Sequence, residues 1–116
     1  MKTIFIDIDG TILKHHGHGM TGQMIIKPEV LEGVLEKFRE WDRRGYTIIL
    51  ITGRKESARK LTEDQLQKFG LFYDHLIMGL PRGPRIIIND MKEDSLDKTA
   101  GHFCVERNKG IGDIEI

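Results

Sequence analysis

The chain has 116 residues, 39% apolar and 31% charged, with 18 Lys plus Arg against 18 Asp plus Glu. That length suits one domain, residues 1–116, with no room for a second, and the mixture is too apolar for a disordered chain. Zero net charge disfavours broad binding to nucleic acid or an anionic membrane, and the single cysteine excludes an internal disulfide. No stretch is long enough for a signal peptide or a membrane span, so a cytoplasmic setting is expected.

Lys2 to Ile8 is β-branched and aromatic with apolar residues on both faces, which predicts a buried strand ended by Asp9-Gly10. Lys14 to Gln23, with three glycines and three histidines, reads as a loop. Pro28 and Glu29 mark a helix start. Val30, Leu31, Val34, Leu35, Phe38 and Trp41 then recur at helical spacing, and Gly45 stops the run after three arginines. A helix is therefore predicted over Glu29–Arg44, with Phe38 and Trp41 in the core. Tyr46 to Ile51 is a second strand. Ala58, Leu61, Leu66 and Phe69 outline a second helix stopped by Gly70, and a Thr62/Gln65 capping box leaves open whether it begins only there.

His75 to Met78 is a short apolar run, followed by a turn-rich loop over Gly79–Pro84. Arg85 to Ile88 reads as a third strong strand, ending at Asn89-Asp90. Glu93–Thr99 reads as a short helix, and His102–Val105 as a last strand with Cys104 as a buried small residue. The tail from Glu106 is mixed and takes no firm element; Arg107-Asn108-Lys109-Gly110 reads as a turn near the sheet's carboxyl edge, with no role assigned to it. Apolar strands alternating with helices predict an α/β fold: a central parallel sheet with helices on both faces, three layers, Rossmann-like. Ligands then sit at the carboxyl ends of the strands.

Those ends carry polar groups. The first strand ends in Asp7-x-Asp9-Gly10-Thr11, the second in Thr52-Gly53-Arg54, the third strong one in Asn89-Asp90. Acids brought together repel unless a cation sits among them, and a hard oxygen set of this kind suits Mg²⁺. Gly10 can turn the backbone and re-aim Asp9, which gives the two acids of the first strand different tasks.

Ile4-Phe5-Ile6-Asp7-Ile8-Asp9-Gly10-Thr11 resembles the first motif of the haloacid-dehalogenase-like phosphatases. Ile49-Leu50-Ile51-Thr52-Gly53-Arg54 resembles their second motif, and Ile86-Ile87-Ile88-Asn89-Asp90 with Asp94 their fourth, in the family's order, so that the resemblance covers roughly Met1 to Val105. It implies Asp7 as a nucleophile forming an aspartyl-phosphate and Asp9 as general acid and base. It implies Mg²⁺ on Asp7, the Asp9 carbonyl and Asp90, with Thr52, Gly53 and Gly10 on the phosphoryl group. Asn89 departs from the strict acidic pair, and Asp94 either reaches the metal through water or caps a helix. The family's third-motif Lys is replaced by Leu80 in Gly79-Leu80-Pro81. Arg82 is the expected substitute, catalytic and phosphate-binding, since a guanidinium grips phosphate oxygens in a fork. Arg85 reads as a solvated flank, with Lys55 and Lys92 as other candidates.

His15, His16 and His18 border the first motif and are either substrate or metal contacts or a solvated loop. Arg54 either anchors a substrate anion or pairs with a structural acid. No insertion is long enough for a cap domain, so a capless type with an open site is expected, serving a large substrate or borrowing a second copy as a lid. The second-motif region is similar to the phosphatase domain of polynucleotide kinase-phosphatases and to small phosphatases of capsule and lipopolysaccharide sugar synthesis. Neutral charge leans toward a small phosphorylated sugar or nucleotide; a 3′-phosphorylated nucleic-acid end and a catalytically weakened binding module are the alternatives. A two-component receiver domain fits less well, because its first-strand acids would not be split and no Asp ends the middle strand.

Overall fold

A computed structural model describes residues 1–17, 27–94 and 98–116. Three strands, β1 (Thr3–Asp7), β2 (Thr47–Ile51) and β3 (His75–Ile77), form one parallel sheet in the order β1-β2-β3. Helix α1 (Val34–Arg43) connects the first two. A 3₁₀ turn (Glu56–Ala58) and helix α2 (Arg59–Lys68) connect the second pair. Parallel neighbours need such crossovers, and sheet chirality makes them right-handed.

Side-chain alternation decides what the helices cover. Ile4, Ile6, Ile48, Leu50 and Leu76 point one way and share a core with Val34, Phe38 and Trp41 of α1 and Leu66 of α2. Phe5 and Ile77 point the other way and are 47% and 43% exposed. The α/β class with a parallel sheet is as the sequence predicts; among the described residues, both helices pack on one face of it.

Both helices end as the glycines foretell. In α1, Gly45 takes φ 73° and donates to the Asp42 carbonyl, while Tyr46 donates to Trp41. In α2, Gly70 takes φ 71°, donating to Gln67, while Leu71 donates to Leu66. These are two Schellman closures, the second sealed by the buried pair Leu66 and Leu71.

The start of α1 differs from Glu29. Lys14 donates to the Glu29 carbonyl and Leu31 to that of Ile12, so the backbone of residues 29–31 bridges to the turn after β1 and is unavailable to a helix. Gly33, at φ 78°, then resets the chain, and Val34 begins the helix. Gly33 also packs directly on the backbone of Gly112, where a side chain would collide. The helix after β2 begins before Thr62, which lies buried inside it.

The third strong strand of the sequence does not join the sheet. Ile86, Ile87 and Ile88 are 81%, 53% and 92% exposed, and no strand is formed over 85–90. His102–Val105 is likewise not a strand, and Cys104 is exposed instead of buried. Apolar content alone does not make a strand; a partner edge must supply the hydrogen bonds. Residues 95–97 of the expected short helix, and His18, lie outside the described residues; Glu93, Asp94 and Thr99 are exposed and not helical. The tail, by contrast, folds back: Ile111 is 1% exposed, and Ile114 and Ile116 pack on the core.

Candidate active site

The site is built where β1 and β2 end side by side, Asp7 paired in register with Ile51. After β1 the backbone closes tightly. The N–H groups of Thr11, Ile12 and Leu13 all point to the Ile8 carbonyl at 3.2, 3.0 and 3.0 Å, and Gly10 takes φ 91° and donates to Leu13. That conformation suits glycine. It lifts Asp9 off the strand, so the two acids lie at one cavity with different partners.

Asp7 lies in a cavity of about 190 Å³ lined by Asp7, Asp9, Gly10, Thr11, Val105 and Arg107. The Thr11 hydroxyl donates to Asp7 Oδ2 at 3.4 Å, and Arg85 Nη1 is 3.9 Å from Asp7 Oδ1. Burial lifts the Asp7 carboxyl above the usual carboxylate range; Arg85, the Ile8 N–H and Thr11 oppose this, and the Asp9 charge adds to it.

Asp9 is held differently. Arg54 grips it in a two-armed fork, Nε to Oδ2 at 2.9 Å and Nη2 to Oδ1 at 2.8 Å. The remaining arm, Nη1, donates to Thr62 Oγ1 at 3.1 Å and Gln65 Oε1 at 2.7 Å, both on α2. The Arg54 side chain is 3% exposed and that of Asp9 16%. Of the two roles open to Arg54, the structure shows the pairing with an acid, and its donors are not turned toward the cavity. Bidentate, charge-assisted geometry of this kind is the strong form of the pair.

Thr52 is buried and its Oγ1 accepts from the Arg54 N–H at 3.1 Å. Gly53 is exposed beside it, and a side chain there would meet the Leu80 carbonyl at 3.1 Å. The loop after β3 is tied to this turn, Gly79 donating to Arg54 and Leu80 to Thr52. Arg82 stands exposed in that loop, and it is Arg85, read from sequence as a flank, that reaches Asp7.

Asp90 is not brought to the pair. It is exposed, its carbonyl accepting from the Thr99 hydroxyl, and Asp94 is exposed in a turn. Residues 86–88 pair with no edge of the sheet, so Asn89-Asp90 is not delivered to a strand end. Among the described residues, no three acids, histidines or cysteines lie close enough to hold a metal. Of the expected ligand residues Asp7, Asp9 and Asp90, the structure therefore brings only the first two to one cavity. That pair still fits Mg²⁺, which commonly takes one or two carboxylates and completes its shell with water and substrate oxygens. Asp7, buried enough to disfavour its own charge, is the oxygen donor that gains from a cation.

His15 donates its backbone N–H to Asn108 Oδ1 at 2.7 Å, and its Nδ1 accepts from Gly17. His16 Nε2 is buried with no hydrogen-bond partner among the described residues. Two cations beside the acids have no role assigned by the sequence pattern. Arg85 was hidden by its place in an apparent strand. Arg107 reaches the cavity from the far end of the chain; its sequence reads as part of a turn near the sheet's carboxyl edge, with nothing to signal a role.

Comparison with known proteins bears on this site. The family described as LNS2 (Lipin/Ned1/Smp2) matches residues 1–106. The chain is similar to the D-glycero-beta-D-manno-heptose-1,7-bisphosphate 7-phosphatase of Salmonella typhi, 37% identical over 68 residues, 58% of this chain and 35% of the relative. The Escherichia coli K12 protein of the same name is 34% identical over 68 residues, 58% of this chain and 34% of the relative. The Haemophilus influenzae one is 24% identical over 115 residues, 98% of this chain and 53% of the relative. The chain thus spans about a third to a half of the length of these relatives. No solved structure matches it significantly. No described helix is long and apolar enough to cross a membrane.

Proposed function

The chain belongs to the LNS2 (Lipin/Ned1/Smp2) family and with it to the haloacid-dehalogenase-like phosphatases, and on that premise we propose that it is a Mg²⁺-dependent phosphomonoester hydrolase acting through an aspartyl-phosphate. One observation carries this reading: Asp7 and Asp9, two residues apart, share one cavity, the first exposed to it beside Arg85 and the second locked by Arg54.

The roles follow from the partners. Asp7 Oδ attacks phosphorus and the bond to the leaving oxygen breaks, with the proton for that oxygen coming from Asp9. Asp9 then takes a proton from water, whose oxygen attacks phosphorus, releases phosphate and restores the Asp7 carboxylate. In the fork each Asp9 oxygen spends one lone pair on Arg54 and keeps a second for the proton that it gives to the leaving group. Arg85 supplies the positive charge beside Asp7 that was expected of Arg82. Thr52, Gly53 and Gly10 complete the phosphoryl pocket. Asp7 and the Asp9 carbonyl would hold Mg²⁺, which offsets the repulsion between an anionic nucleophile and an anionic ester.

A phosphorylated sugar is the favoured substrate, in line with the names of the relatives; nucleotides and 3′-phosphorylated oligonucleotides are the alternatives. With no cap-sized insertion between the motifs, the cavity is open, which suits a bulky substrate or a lid lent by a second copy. The displaced Asp90 and the Leu80 in place of the third-motif Lys favour one competing reading, a catalytically weakened binding module. The test is a phosphatase screen over sugar phosphates, nucleotides and 3′-phosphorylated oligonucleotides, with Mg²⁺ and with chelator. Turnover of sugar phosphates that needs Mg²⁺ and vanishes in Asp7→Asn supports the proposal. A well-folded wild type that turns over no ester refutes the hydrolase.

A further inference from the structure

The C-terminal turn delivers a cation to the cavity from outside every motif discussed above. Asn108, at φ 64°, donates its backbone N–H to the Gly10 carbonyl at 2.9 Å. Its side chain grips the backbone of His15 on both sides, Oδ1 accepting at 2.7 Å and Nδ2 donating at 3.2 Å. Three bonds therefore fasten the turn Glu106–Lys109 to the loop after β1. Behind it, Ile111 donates to the Glu32 carbonyl and buries its side chain, while Gly112 lies on Gly33.

Arg107 sits at the front of this clamp. Its stem lies across Gly10, where a side chain would meet Arg107 Cγ at 3.1 Å. It lines the same cavity as Asp7, Asp9, Gly10 and Thr11. Charge decides what it can do there. Of the cations near the two acids, Arg54 is committed to Asp9, Thr62 and Gln65, and Arg85 stands by Asp7. Arg107 makes no ion pair or side-chain hydrogen bond among the described residues. A guanidinium with open donors at a small cavity suits a tetrahedral oxyanion, which it can take bidentately.

We propose that Arg107 is a phosphate-binding residue of the active site, gripping oxygens of the phosphoryl group in front of Asp7 in both ester and released phosphate. Asn108 is the residue that positions it. The inference rests on the hydrolase reading for its catalytic meaning, but phosphate affinity tests it without turnover.

The experiment is calorimetric titration of inorganic phosphate, with Mg²⁺ present, into the full chain and into Arg107→Ala, Arg107→Lys, Asn108→Gly and Lys109→Ala, alongside KM and kcat for any ester turned over. Arg107→Ala is expected to weaken phosphate at least tenfold and to raise KM more than it lowers kcat. Arg107→Lys keeps part of the affinity. Asn108→Gly retains the left-handed backbone, loses the side-chain clamp and weakens phosphate in the same direction with an unchanged thermal transition. Lys109→Ala leaves affinity unaltered. Equal phosphate affinity in wild type and Arg107→Ala overturns the proposal, as does a wild type that binds no phosphate. A loss confined to esters carrying a second phosphate also overturns it, in favour of a contact to that second group. Arg107-dependent phosphate binding in a protein that hydrolyses no ester refutes the hydrolase reading alone.

Discussion

The stretches 1–78 and 80–105 are comparably rich in apolar runs, yet they behave as different materials. In the first, the described strand runs find partners: β1 pairs with β2, β2 with β3, and Ile8, Ile12, Leu50 and Leu66 are fully buried. In the second, Ile86, Ile88 and Phe103 are 81%, 92% and 60% exposed. The site follows the same division. The groups carried by the first stretch, Asp7, Asp9, Thr52 and Arg54, are assembled; of the second, Arg85 and Val105 reach the cavity or Asp7 while Asp90 stands apart. A catalytic residue is only as well placed as the hydrogen-bonded element that carries it.

The largest effect is expected at Asp7. Asp7→Asn should lower turnover by at least about a thousandfold, since an amide is no nucleophile and the chemistry has no second route. The same change should raise the melting temperature in metal-free buffer at neutral pH. The sign follows from burial: a carboxyl whose folded pKa is raised binds more protons folded than unfolded. Its contribution to stability is present below the unfolded value and lost as pH rises through the folded one. Asn removes that loss, so the gain should vanish in acid; a gain equal at both pH values contradicts the assignment.

Next is Arg54. Arg54→Ala leaves Asp9, Thr62 and Gln65 facing a hole, and breaking a buried pair costs about 3–5 kcal/mol. Chemical denaturation reads this directly; a loss under about 1 kcal/mol, the scale of surface pairs, means the fork is solvated. The two stretches are then compared one for one. Leu50→Ala should cost about 2–5 kcal/mol, and Ile87→Asp no more than about 0.5 kcal/mol, as at an unpacked surface position. Unfolding by Ile87→Asp would show that this run is packed in a sheet. The smallest effect separates two loop arginines: Arg85→Ala should lower kcat/KM about tenfold, by loss of charge beside Asp7, and Arg82→Ala by less than about threefold.

Much of this is legible in the residues themselves. The three strands that pair, both helices, the glycine stops at Gly45 and Gly70 and the core placement of Phe38 and Trp41 all follow from local pattern. So does the presence of Asp7, Asp9 and Thr52 at strand ends. What the sequence conceals is non-local. Glu29–Leu31 have helical spacing, but their backbone bonds go to Ile12 and Lys14. Arg85–Ile88 has strand composition and no edge to pair with. Arg107 and Asn108 carry no motif; only the folding back of Ile111 onto the core puts them at Gly10.

The central claim is that the first stretch presents Asp7 as the nucleophile, and trapping the phosphoenzyme tests it most directly. Asp9→Asn protein, slowed in its hydrolytic step, is mixed with a turned-over ester and Mg²⁺, quenched in acid and mapped by peptide mass spectrometry. One added phosphoryl group is expected on the peptide that contains Asp7, labile in base and absent from Asp7→Asn. A phosphoryl group on any other residue, or turnover by the wild type that survives Asp7→Asn, would contradict it.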